Sequence, residues 1–267
     1  MKTGLIQKIE DANLRLNESF ATRIIRRPDV TIFLNEEIPD DPYLNLATKI
    51  SDPENVESFV AEVSETFESR GIASSFYLSS YTSSKVKSFL LAQGYGEFAN
   101  DSWMFWDLNK ESFSELIEGL EIKRVETEQE LDDFTKVFVE VYSKGEPDDP
   151  YQGLSPLYDK FLRKRFYQEG KDSEAEYYNA YWHGKAVGTG SLLHDGEIGG
   201  MFSLAVLPEF RKLRIGKALQ ARREERAREL DLQYLYLITE AGSRNEKIFA
   251  KAGFRTEFGN LELVKRI

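Results

Sequence analysis

The sequence predicts an α/β chain built of two tandem units, and three observations predict it. Apolar segments of strand length alternate with amphipathic segments of helix length along most of the 267 residues. That order occurs twice, and the two occurrences superpose without a gap. Gly94-Tyr95 falls on Gly253-Phe254 (253 − 94 = 159), Tyr77-Leu78 on Tyr236-Leu237 (236 − 77 = 159) and Val60 on Leu219 (219 − 60 = 159). Late in the chain two turn signals, His183-Gly184 and Asp195-Gly196, fold three successive strands into hairpins.

In order, residues 1–27 hold a loosely amphipathic helix (Leu5, Ile6, Ile9, Ala12, Leu16, Phe20) closed by Arg27-Pro28. Val30 to Leu34 reads as a buried strand from its β-branched and aromatic content, Asn35 to Pro42 as an acidic loop, and Leu44 to Thr48 as a second short segment. Ser51-Asp52-Pro53 opens a helix with proline just inside its start. It carries Val56, Phe59, Val60, Val63 and Phe67 at three- and four-residue spacing and stops at Arg70-Gly71. Ser75 to Leu78 is a strand, Ser83 to Gln93 a short helix, and Trp103 to Leu108 another strand. Asn109 to Gly119 is the linker, so residues 1–119 and 120–267 are the two expected domains.

The second unit opens with a strand, Glu121 to Val125, and a helix, Glu128 to Tyr142, whose Leu131, Phe134, Val137, Phe138 and Val141 face inward. A polar loop follows, then strands Tyr177 to Trp182, Ala186 to Leu193 and Gly200 to Val206. A second repetition, Pro39 to Tyr43 and Pro147 to Tyr151, has another offset (147 − 39 = 108) and lies outside the duplication.

Composition narrows the chemistry. With 18 Phe, 13 Tyr and 3 Trp the chain can fill a substantial core. Zero cysteines exclude disulfides, thiolate nucleophiles and zinc-thiolate sites, and with two histidines a metal site would need carboxylates alone; none is expected. A net charge of −11 argues against general nucleic-acid binding and favours cationic partners such as amines. No apolar run reaches membrane-spanning length, and Met1-Lys2-Thr3-Gly4-Leu5 lacks the apolar core of a signal peptide, so a cytoplasmic protein with no membrane partner is expected. Both histidines sit at or beside turns and receive no catalytic role.

Against that acidic background, residues 204–219 stand out. The strand ending in Leu204-Ala205-Val206 passes through Pro208 to a basic turn, Arg211-Lys212-Leu213-Arg214-Ile215-Gly216-Lys217, that opens a helix. N–H groups at a helix N-terminus lack intrahelical acceptors and sit at the positive end of the macrodipole, so this turn suits a pyrophosphate. A P-loop is excluded because it needs glycine where Arg211 stands, and Gly188-Thr189-Gly190 lacks a third glycine at Leu193.

The spacing Val206-x-Pro208-x-x-Arg211 followed by Arg211-x-x-Arg214-x-Gly216 resembles the acyl-CoA loop of the GNAT superfamily of N-acyltransferases. The duplication matches its bacterial two-domain members, with a degenerate first unit. The resemblance implies two tandem mixed β-sheets flanked by helices, an α/β (α+β) fold. It implies acetyl-CoA as co-substrate, held by Leu204, Ala205, Val206, Arg211, Lys212, Leu213, Arg214, Ile215, Gly216, Lys217, Asn245 and Phe249. Arg214 stands where the family has its first glycine, so the backbone there is either helical already or distorted. In the first unit Asp52, Pro53 and Glu54 replace Arg211, Lys212 and Leu213 and would repel pyrophosphate.

The family's oxyanion donor is a main-chain N–H, here within Leu204 to Val206. Its usual base lies on or near that strand, where Gly199-Gly200 stands. Glu197, with Asp195 beside it, and Glu240 at the end of the next strand are the carboxylate candidates. The usual tyrosine acid is replaced by Phe249, which would pack on pantetheine, with Ser243 or Asn245 hydrogen-bonding it. The leading expectation is an acetyl-CoA-dependent N-acetyltransferase for a small amine, contacted by Glu146, Asp148, Asp149 and Tyr151. An acyl-CoA-binding module without turnover and a peptide or protein N-acetyltransferase are the alternatives. A homodimer paired through sheet edges is compatible with the family.

Overall fold

The first half runs α1 (Thr3–Asn17), β1 (Arg23–Arg26), β2 (Thr31–Leu34), β3 (Leu46–Thr48), α2 (Val56–Glu68), β4 (Ser74–Leu78), α3 (Ser84–Ala92) and β5 (Gly96–Trp106). The second runs β6 (Leu120–Arg124), α4 (Glu128–Tyr142), α5 (Tyr158–Glu169), β7 (Ala175–Trp182), β8 (Lys185–Asp195), β9 (Ile198–Val206), α6 (Ile215–Glu229), β10 (Tyr234–Glu240), α7 (Arg244–Ala252) and β11 (Arg255–Lys265). The computed structural model describes residues 1–112, 116–144, 153–169 and 174–265.

The expected mixed α/β architecture is present, and the two expected sheets run together as one of eleven strands, ordered β1-β2-β3-β4-β11-β5-β10-β9-β8-β7-β6. The duplication holds at the level of elements. Helices α2 and α6 start at Val56 and Ile215 (215 − 56 = 159), and strands β5 and β11 at Gly96 and Arg255 (255 − 96 = 159). These last two strands change places. β11 lies antiparallel between β4 and β5, and β5 lies antiparallel between β11 and β10. A line between residues 119 and 120 thus divides the order of elements but not the sheet.

Helix α1, which the sequence left without a role, seals one face of this exchange. Ile6, Ile9 and Ala12 pack on Trp103, Tyr236 and Phe258, with the Trp103 ring stacked 5.1 Å from Tyr236 and 5.0 Å from Phe258. The buried Glu10 carboxylate accepts from Ser79 Oγ (2.9 Å), Tyr81 OH (2.6 Å) and Asn260 Nδ2 (2.7 Å), which ties the helix to the turn after β4 in the first half and to β11 in the second. Burial raises the Glu10 carboxyl above its ordinary range, and these hydrogen bonds only partly oppose that.

Several elements differ from expectation for local reasons. Residues 23–26 form β1 rather than the tail of a helix, because α1 ends at Asn17. Helix α2 starts at Val56 instead of Pro53, since Asn55 Oδ1 accepts from Ser58 N (3.0 Å) and caps it there. Residues 158–169, read as polar loop, form α5, whose Tyr158, Phe161 and Leu162 are buried among its charges. Strand β5 begins seven residues before Trp103 (103 − 96 = 7) and carries the polar run Asn100-Asp101-Ser102 through the sheet. In α6, Arg226 interrupts the apolar stripe to meet the buried Glu176 carboxylate of β7 (2.9 Å), a partner from its own half.

Candidate active site

The site begins where two parallel strands part. β9 and β10 are in register only at Ile198/Tyr234, Gly199/Leu235 and Gly200/Tyr236. Beyond that β9 bulges against β8: Phe202 pairs Ser191 and Ala205 pairs Thr189, so Ser203 and Leu204 together oppose Gly190. Ser203 takes a left-handed φ of 55°. Leu204 to Val206 and Leu237 to Glu240 thereby become opposite walls of a cleft. Main-chain N–H groups of a bulged strand are turned from the ladder, which is the geometry an oxyanion donor needs.

A buried cation fixes the bulge. The Arg223 side chain of α6 is 1% exposed and donates from Nε to Leu219 O (3.0 Å) and from Nη1 to both Ser191 O and Phe202 O (3.2 Å each). Burial lowers this guanidinium to about 10. Gly190 makes room for it, since a Cβ there would stand 3.1 Å from Arg223 Cζ.

The basic turn lies at the open end of β9. Lys212 and Arg214 both adopt left-handed backbone, at φ 71° and 61°. Arg214, the N-cap residue of α6, thus keeps the conformation of the glycine it replaces, which is neither of the two conditions expected of it. Its side chain does not cap the helix, and Arg211, Lys212, Arg214 and Lys217 around that end are exposed. Gly216 leaves open space beyond its backbone, a Cβ there meeting nothing nearer than Val206 Cγ2 at 3.9 Å. This cradle fits a pyrophosphate. The equivalent residue in the first half, Asn55 (214 − 55 = 159), caps α2 with its own side chain, and Glu57 follows in the first turn. That end is closed and acidic.

The cleft opens into a cavity of about 310 Å³. Its walls include Ser203, Leu204, Glu240, Ser243, Asn245 and Phe249, so the expected residues of β9, β10 and α7 converge. Ser243 also caps α7 by accepting from Glu246 N (3.1 Å). Five groups lining it were missed by sequence reasoning: Tyr142, whose OH donates to Leu204 O (3.2 Å), Arg165 of α5, and Phe20, Tyr43 and Asp101 from the first half. The charge deficit and the polar run at 100–102 were the available signals for Asp101; no local signal marked the others.

Glu197 is a correction. It precedes β9 at the end away from the basic turn, seven residues and thus ~23 Å of strand from Leu204, and it pairs with Lys8 of α1 at 2.6 Å. Asp195 likewise pairs with Arg15 (2.5 Å). Both carboxylates anchor α1. Glu240 lines the cavity, its Oε2 accepting from Asn100 N (3.0 Å). A carboxylate at position 200 has no room, because a Cβ there would lie 2.3 Å from the Phe202 ring and 2.9 Å from Tyr236. Glu146, Asp148, Asp149 and Tyr151 lie outside the described residues. The described His194 is half-buried, which lowers its basicity, and it lies outside the cavity lining.

Comparisons agree with this geometry. Residues 131–254 match the model of the acetyltransferase (GNAT) family. No curated protein matches the chain. Among solved structures, a GCN5-related N-acetyltransferase from Kribbella flavida aligns over 97% of this chain and 94% of its own, at 14% identity and a TM-score of 0.70. A functionally unknown conserved protein from Staphylococcus epidermidis aligns over 92% and 94%, at 13% identity and 0.65. A tandem GNAT protein from the clavulanic acid biosynthesis pathway aligns over 88% and 78%, at 10% identity and 0.64. At these identities the likeness is one of fold. The parted strands, the basic turn and the matched segment lead to one conclusion: this chain has a tandem GNAT fold and carries an acetyltransferase (GNAT) family domain at residues 131–254.

Proposed function

We propose that the chain is an acetyl-CoA-dependent N-acetyltransferase for the amine of a small molecule, with residues 120–267 as the CoA-binding unit and residues 1–119 as a unit that has lost that capacity. The observation that carries this reading is that β9, in register with β10 only as far as Gly200, runs on into the basic turn at the head of α6, whose N-cap side chain makes no capping bond. Acetyl-CoA would supply the thioester that the amine attacks. Arg211, Lys212, Arg214 and Lys217, with the first-turn N–H groups of α6, would hold its phosphates, while Asn245 and Phe249 flank the route to the cleft. Main-chain donors within Leu204 to Val206, beginning at the bulge, would receive the oxyanion.

Tyr142 supplies what Phe249 lacks. Its hydroxyl lies on the cleft wall at Leu204 O and carries a proton that a departing thiolate could take. Glu240 would assist amine deprotonation from the opposite wall. Among the described residues no helix is long and apolar enough to cross a membrane, in keeping with the cytoplasmic setting we propose. Release of free CoA thiol from acetyl-CoA in the presence of amines tests the reading; no amine-dependent release across primary amines, amino acids and polyamines would favour the binding module. In an active protein Tyr142→Phe should lower kcat by about 10²-fold.

A further inference from the structure

The first half of the chain contributes Asn17, Phe20, Tyr43 and Asp101 to the cavity. A smaller cavity of about 60 Å³ continues the larger one, and the two share Asn17, Phe20, Tyr43, Asp101 and Ile238. Asp101 is 6% exposed and stands at this junction. Its carboxylate is held in place: Tyr77 OH donates to Oδ2 (2.6 Å), and Trp103 Nε1 donates to the same phenol oxygen (3.2 Å). Burial and the Asp101 charge push the Tyr77 phenol well above its ordinary range, so it stays a donor at neutral pH.

Asp101 also stands directly across the β5/β10 ladder from Glu240, which lines the same cavity. An ammonium placed between two carboxylates is attracted by both. The cavity lining also includes the rings of Phe20, Tyr43, Phe138, Tyr158 and Phe202. Arg165 lines the cavity too; it donates to Leu16 O and to Ser19 Oγ (2.9 Å) and lies 4.4 Å over the Phe20 ring.

Resting on the acetyltransferase reading above, we infer that Asp101, delivered by the first half, holds the acceptor's ammonium, and that the acceptor is a compact primary amine with an aryl-sized apolar body. The degenerate unit is thus retained as the wall that selects the acceptor. A well-oriented buried carboxylate should favour the ammonium over a neutral isostere by at least about tenfold.

Titration calorimetry of the full chain with 2-phenylethylamine and with neutral 2-phenylethanol tests this, CoA binding being measured separately on each variant. Wild type should bind the amine about tenfold or more tighter than the alcohol. Asp101→Asn, which keeps an oxygen for Tyr77, should abolish that preference while leaving the alcohol and CoA unchanged. Tyr77→Phe should reduce the preference severalfold and carries the test if Asp101→Asn does not fold. Equal binding of amine and alcohol by wild type, or an undiminished preference in the folded variants, overturns the inference. A chain that takes up no CoA yet shows the Asp101-dependent preference would refute the acetyltransferase reading and leave the amine site standing.

Discussion

Arg214 offers a clean measurement, because its backbone and its side chain can be separated. At φ 61° and ψ 11° it holds an L-residue in the left-handed region, which costs ~1–2 kcal/mol. Arg214→Ala removes the guanidinium and keeps that strain; Arg214→Gly removes both. Every contact of the side chain is lost equally in the two variants and cancels in their comparison. Glycine returns ~0.4–1 kcal/mol through the greater freedom of its unfolded chain, so central values leave the glycine variant more stable than the alanine variant by ~0.8 kcal/mol. For a chain of this size that is ~2–3 °C in Tm. Thermal denaturation without ligand measures the difference, and CoA titration should show the same loss of affinity, roughly tenfold, in both. A glycine variant no more stable than the alanine variant would refute the left-handed assignment. Recovery of CoA affinity in the glycine variant alone would show that backbone shape, not charge, limits binding at this position.

Four further outcomes follow from features of the structure. Calorimetry should find one CoA per chain, since Asn55 caps α2 while α6 is open; two equivalents would contradict this. Arg223→Lys, which cannot reproduce the forked contact to Ser191 O and Phe202 O, should lower kcat roughly 10- to 100-fold with CoA affinity retained, and an unchanged kcat would show the bulge to be self-supporting. Burial works to raise the Glu176 carboxyl, but hydrogen bonds from Arg226 and Tyr178 and the charge of Arg124 outweigh it, so its stabilisation is present above the ordinary carboxylate range and lost as pH falls through the lowered value. Glu176→Gln should therefore cost ~3–5 kcal/mol at neutral pH and progressively less in acid, as read by urea denaturation at several pH values. Glu10 has the opposite sign: its raised carboxyl makes the folded state hold a proton longer than the unfolded chain, so stability falls as pH rises through that interval, and Glu10→Gln should remove that slope.

Legibility in the sequence followed how local each signal was. Helix α4 was readable to its ends because Thr127 and Glu130 form a capping box in front of a regular apolar stripe. The basic turn was readable because strand, proline and cations fall within a few residues. Asp101 was hidden because a polar run looks like a loop; it is a strand whose polarity serves a cavity made by distant segments. Glu197 misled because nearness along the chain says nothing of which end of a strand a residue occupies. Helix α5 was missed because Arg163, Lys164 and Arg165 break up the apolar period around Phe161 and Leu162. The duplication was legible, yet no pattern in either copy revealed that their last strands would change partners.

That change of partners sets a schedule for synthesis. Both neighbours of β5 come from the second half, and β11 follows β10 in the chain. Between the end of β5 and the end of β11 lie 159 residues (265 − 106 = 159), which take roughly 8–32 s to translate. Until β10 is made β5 has neither partner, and until β11 follows the first-half sheet lacks the strand that extends it beyond β4. A chain of this topology completes its core only once β11 is made rather than domain by domain, and its many distant pairings place it among slow folders. The nascent first half is therefore a natural client for chaperones that shield exposed strand edges.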